Sequence, residues 1–156
     1  MANATNQRII VRSGPNETRL EALAGEAGIG PGDLLEWSAG TFLRHNTGDG
    51  AVMPKMIATE SQHPDDEDNA SIDVDYANAD TVYAWIPRVG DHAYMFLAAG
   101  ETALQHSYLV SDGDGALAVE AAITNADIIH AVVGRAVAAV DNGLGGAPVR
   151  VLVEIA

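Results

Sequence analysis

The chain has 156 residues, enough for one domain that buries most of the surface its unfolded form exposes. It has no cysteine, which excludes disulfides, thiol catalysis and a cysteine zinc site. Its net charge of −14, from 22 Asp and Glu against 8 Lys and Arg, repels phosphate backbones and disfavours nucleic acid or an anionic membrane as a direct partner. Lys55 is the only lysine, a composition given equally by a salt-loving source and by a GC-rich genome. Hydrophobic content of 47% is too high for a disordered acidic tail. The N-terminal MANATNQRIIV lacks the apolar core of a signal peptide, and no run approaches the roughly 20 apolar residues that span a membrane.

Residues 1–15 read as an N-terminal arm, in which Arg8 to Arg12 pair as a short strand before Ser13-Gly14-Pro15-Asn16 ends it. The arm is expected to pack on a neighbouring subunit or another protein, since Ile9-Ile10-Val11 is an apolar triplet cut off by Gly14-Pro15. Residues 16–156 read as a single β-rich domain. It opens with a short helix over Asn16 to Gly25, with Asn16 as N-cap, Glu17 in the first turn, and Leu20, Leu23 and Ala24 on one face. Ile29 to Asp33 is a tight turn, followed by strands over Leu34 to Trp37 and Gly40 to Asn46. Ala51 to Glu60 begins extended, with Pro54 arguing against a central strand. Ser61 to Asn69 is an acidic loop, and Ile72, Val74 and Tyr76 alternate inward.

Thr81 to Ile86 and His92 to Ala99 are two strand-like runs around Pro87-Arg88-Val89-Gly90-Asp91, the pattern of an antiparallel hairpin. Val82, Ala84 and Ile86 oppose Tyr83 and Trp85; Ala93, Met95 and Leu97 oppose His92, Tyr94 and Phe96. Both faces are apolar, so both are expected to be covered, one by the core and one by another layer or subunit. Ser107 to Val119 is a second hairpin around Ser111-Asp112-Gly113-Asp114-Gly115. Ile128 to Val140 suits either a helix or two strands with a bend at Gly134, and its strand-like neighbours favour strands. Val149 to Ile155 has a clean period of two. Short strands at roughly ten-residue spacing indicate a compact β-barrel or β-sandwich.

Little in the residues points to catalysis. His63 with Asp65, Asp66, Glu67 and Asp68 is the best metal candidate, but the spacing does not fit a calcium loop and a solvated acidic loop accounts for it. Asp112-Gly113-Asp114-Gly115 reads as a plain hairpin turn. The five histidines, at 45, 63, 92, 106 and 130, fall in different segments; a triad of His45, Asp49 and Ser38 has no supporting motif. The Gly-x-Gly pairs lack the strand-to-helix setting of a phosphate loop.

Taken together, four marks run through the chain. They are Ile29-Gly30-Pro31-Gly32-Asp33-Leu34, Asp80 with Val82 before Pro87-Arg88-Val89-Gly90-Asp91, Leu109-Val110-Ser111-Asp112-Gly113-Asp114-Gly115, and Val133-Gly134-Arg135-Ala136 before the terminal strand. In these the chain, from about Arg8 onward, resembles the capsid decoration (cement) proteins of tailed viruses with HK97-type heads. The resemblance implies a non-enzymatic structural protein of the outer capsid surface, made in the host cytoplasm and needing no cofactor or metal. It further implies a homotrimer over three-fold and quasi-three-fold positions, with the major capsid protein as partner. Ile9, Ile10, Val11, Tyr83, Trp85, Tyr94 and Phe96 are the expected contacts with capsid or neighbouring subunits. The alternative is a small-molecule-binding or enzymatic β-barrel whose pocket is lined by Trp37, Trp85, Tyr83 and His92.

Overall fold

Runs of period two become strands, and the strands close on themselves rather than leaving long open edges. The computed structural model describes residues 8–48, 50–52, 54–61, 72–121 and 130–156. These residues form a mainly β protein. Its strands are β1 (Ile10–Arg12), β2 (Thr18–Ala24), β3 (Leu34–Ser38), β4 (Thr41–Arg44), β5 (Met56–Ala58), β6 (Thr81–Ile86), β7 (His92–Leu97), β8 (Thr102–Ala103), β9 (Tyr108–Ser111), β10 (Leu117–Glu120), β11 (Gly134–Ala136), β12 (Val140–Asp141) and β13 (Val149–Ile155). A first ring runs β2-β4-β3-β5-β6 and returns to β2. A second runs β7-β10-β9-β11-β13 and returns to β7. Closure removes the unpaired edges that would otherwise template association.

Each ring is filled by one side of its strands. In the second ring Ala93, Met95 and Leu97 of β7 face Val153, Val151 and Val149 of β13 in register, and the first five of these are buried. In the first ring Leu35, Phe42, Met56, Ala58, Val82 and Ala84 form the interior, joined by Ile29 and Tyr76. Those two residues bridge each other outside the strands, and the Tyr76 hydroxyl donates to the Thr59 carbonyl at 2.6 Å. The burial of Tyr76 matches the expected alternation over 72–76, although no strand forms there.

The rings are fused through the other face of the first. Leu34, Ile57 and Trp85 are successive cross-strand neighbours on β3, β5 and β6. All three leave the first ring's interior and join the cluster that fills the second. This row explains why β6 is apolar on both faces. The outer face of β7 is covered in turn by residues 29–33. A Cβ on Gly30 would lie 3.3 Å from the Phe96 ring, and one on Gly32 would lie 3.1 Å from the Tyr94 carbonyl oxygen. The Arg150 guanidinium lies over Phe96, 4.5 Å from the ring centre, and donates to the Pro31 carbonyl at 2.8 Å. The expected cover on both faces is present, and it comes from the same chain.

Four expectations are corrected. β6 and β7 do not pair as a hairpin. The edges of β6 are taken by β2 and β5, and those of β7 by β13 on one side and by β1 and β10 on the other. The intervening turn is stitched to the end of β13 instead. Gly90 N–H donates to the Ile155 carbonyl and Ile155 N–H to the Asp91 carbonyl, each at 2.8 Å. Asp91 accepts from the N–H groups of Arg88 at 2.8 Å and Gly14 at 3.0 Å, so the chain turns a corner from one ring into the next.

The helix near the N-terminus is absent. Asn16 has φ +66°, and β2 pairs with β6 from Thr18↔Ile86 to Leu23↔Thr81. A helix of two or three turns is marginal on propensity alone, whereas the strand half-buries Leu20 and Ala22, buries Ala24 and completes a ring. The arm is not separate from the domain. Ile9 is fully buried in the second ring's cluster, its carbonyl accepts from Tyr94 N–H at 2.9 Å, and Ile10 lies opposite Ala93. Residues 1–7 lie outside the described residues. Finally, the strands within 128–140 are confined to β11 and the start of β12; residues 130 and 131 are helical, and 128 and 129 are not described.

Candidate interaction surface

Among the described residues, the exposed large apolar side chains are Val11, Leu23, Trp37, Val89, Leu104 and Leu144. Two of them flank the β8–β12 ribbon, where Ala103 faces Val140 and Thr102 faces Asp141. Leu104 follows β8 and is 67% exposed; Leu144 follows β12 and is fully exposed. Neither sits on a loose loop. Buried Asn142 donates through Nδ2 to the carbonyls of Ala98 and Ala147, each at 3.0 Å. Its backbone exchanges bonds with Gly100 and Glu101, both at 3.0 Å. Asp141 accepts from the Thr102 hydroxyl at 2.9 Å and from Gly143 N–H at 3.0 Å; the Gly143 bond, then the Thr102 bond, hold its carboxyl below the usual carboxylate range. On the other side, Leu104 and Ser107 close a turn on each other, and His106 N–H donates to the Ala136 carbonyl at 2.7 Å. Val89 caps the corner bonded to Ile155, at the far end of β13 from Leu144.

A cleft of about 350 Å³ opens beside β3, lined by Leu35, Glu36, Trp37, His45, Thr47, Gly50, Ala51, Val52, Pro54 and Met56. Trp37 is half-exposed there, and its indole meets the buried Phe42 ring edge-to-face at 5.0 Å. Glu36 Oε2 accepts from Asn46 N–H at 3.2 Å. His45 Nδ1 lies 2.7 Å from Ser111 Oγ, and both residues are buried. The serine beside His45 is therefore Ser111 rather than Ser38, and Asp49 lies outside the described residues. The four residues expected to line a pocket do not converge. Trp37 reaches the cleft, Trp85 is only 1% exposed inside the fused core, Tyr83 packs on the first ring and His92 lies beside Glu154.

Of the seven expected contact residues, Val11 is exposed. Ile9 and Trp85 are buried, which corrects their assignment to an intermolecular contact: their apolar surface is already spent on the core. Ile10, Tyr83, Tyr94 and Phe96 are half-buried. Leu104, Leu144 and Val89 were not singled out by sequence reasoning. The signal was there for Leu144, a lone large apolar residue within Asn142-Gly143-Leu144-Gly145-Gly146, where no strand could bury it. His63 and its acidic neighbours lie outside the described residues, and among those described no group of three or more His, Asp and Glu could hold a metal. Asp112-Gly113-Asp114-Gly115 is the expected hairpin turn: Asp112 accepts from Asp114 N–H at 2.7 Å, and Asp114 pairs with Arg44 at 3.1 Å. No protein-family model matches the chain, and no curated protein matches it.

Proposed function

We propose that this chain is a capsid decoration (cement) protein, a non-enzymatic trimer bound to the outer surface of an HK97-type head. It stabilises contacts between major capsid proteins at three-fold and quasi-three-fold positions. The observation that carries the reading is the pair of solvent-facing leucines, Leu104 and Leu144, in the turns that follow the two strands of a stapled ribbon on an otherwise acidic, two-ring β body. Large apolar side chains fixed in water on stiff supports mark a surface built to meet another protein. The sequence marks shared with cement proteins supply the identity of that protein. The acidic remainder faces outward.

The test is binding to heads. Heads assembled from the major capsid protein encoded in the same genome are incubated with the purified chain, pelleted and imaged by cryo-electron microscopy. Trimeric density over three-fold positions is the expected result, reduced at least severalfold by Leu104→Ser with Leu144→Ser. Absence of the chain from the pellet, or a genome with no major capsid gene, overturns the reading.

A further inference from the structure

We infer that the cleft beside Trp37 is a socket for one arginine side chain of a partner protein. Three observations point there. The indole meets Phe42 edge-to-face, with an interplanar angle of 86°, so Phe42 takes at most one of its ring faces, and the side chain stays half-exposed. A half-exposed tryptophan on a concave surface is the common anchor of protein contacts, and a guanidinium over an indole is its favoured cationic partner. Second, among the described lining residues Glu36 is the only acidic or basic side chain apart from His45, and one of its oxygens carries no bond from Asn46. The nearby cations of the chain are engaged elsewhere: Arg44 with Glu26 and Asp114, Lys55 with the Ala156 carbonyl. Third, a volume near 350 Å³ is at the small end of the range for small-molecule sites, about 300–1,000 Å³, yet admits one long side chain.

Charge selects the occupant. A body of −14 attracts basic surfaces, and an arginine in this cleft would stack on the indole while donating to Glu36. The inference concerns the chemistry of the socket and does not depend on the partner being a capsid.

The probe is N-acetyl-L-argininamide, titrated against the ¹⁵N-labelled chain, with the neutral isostere N-acetyl-L-citrullinamide as control. Buried Trp85 supplies an internal reference. The Trp37 indole N–H resonance is expected to move saturably in the millimolar range while that of Trp85 stays fixed. Citrullinamide and the Glu36→Gln variant should each weaken the response about tenfold, the worth of one charge-assisted contact. Glu36→Gln is isosteric and half-exposed, so its fold is verified from the same spectra. An indole that responds equally to both probes, that does not respond, or that is indifferent to Glu36→Gln overturns the socket. Head binding is a separate measurement, so failure here leaves the capsid reading standing.

Discussion

Asp33 is buried in the turn that covers β7, and burial pushes its carboxyl up to about 7. Asp75 and Asp114 push the same way, while the Gly30 N–H bond at 2.7 Å and Arg44 pull against them. Between the unfolded value of 3.8 and about 7, the folded chain holds a proton that the unfolded chain has lost. Stability from this group is therefore greatest at low pH and declines as pH rises towards 7, flat above it. Asp33→Asn keeps the shape and the acceptor for Gly30 but cannot ionise. From pH 5 to 8 wild type crosses about two pH units of this window, so the variant gains on the order of 3 kcal/mol relative to it. Urea unfolding of both proteins at pH 5, 6, 7 and 8, at fixed ionic strength and followed by tryptophan fluorescence, reads that difference. The other carboxylates contribute alike to both proteins and cancel. A gap that stays constant with pH, or widens towards acid, refutes the reasoning.

Trp85→Ala should cost about 3–5 kcal/mol, because the indole is buried where the rings fuse. Trp37→Ala should cost about 1 kcal/mol, since only an edge-to-face pair is lost; equal losses in denaturant titrations would contradict the placement of the two. Gly134→Ala should cost about 3 kcal/mol, because the new methyl would meet Glu154 O and lie 2.5 Å from Val153 Cγ1. Gly90→Ala meets open space, and only its φ of +87° opposes it, at about 1 kcal/mol; thermal melts should rank the two in that order. A trimer would carry −42, three times −14, and the Debye length falls from about 10 Å at 0.1 M salt to about 3 Å at 1 M. Trimerisation and head attachment should therefore strengthen as NaCl rises from about 0.1 M to 1 M and beyond, read by sedimentation velocity. A trimer equally stable at both ends would assign the acidity to a solvated surface.

Strand identity was legible where β-branched residues alternate or an Asp-Gly turn joins the runs. Val149–Ile155 and the Tyr108–Glu120 hairpin follow from period two and from Asp-Gly turn chemistry, both local. The partner of a strand is not local. Around Pro87–Asp91 the residues are those of a hairpin turn, yet Gly90 and Asp91 bond to Ile155, far along the chain, and that sends the strands into different rings. The segment Thr18–Ala24 is rich in helix formers, and six cross-strand pairs with β6 override them. Trp85 looked like a contact residue because its strand is apolar on both sides, and nothing short of the second ring reveals that its cover is internal. The staple at Asn142 and the burial of Asp33 depend on three-dimensional neighbours and leave no trace in spacing.

The row Leu34, Ile57 and Trp85 also decides how the protein comes apart. Its side chains are held by strands of one ring and solvated by the interior of the other. Opening either ring exposes the same three side chains, so neither can melt while the other keeps its packing. The two rings should behave as one cooperative unit, with a single heat-absorption peak whose calorimetric and van't Hoff enthalpies agree. Trp85→Ala weakens that coupling as well as lowering stability, and is the substitution expected to split the peak in two.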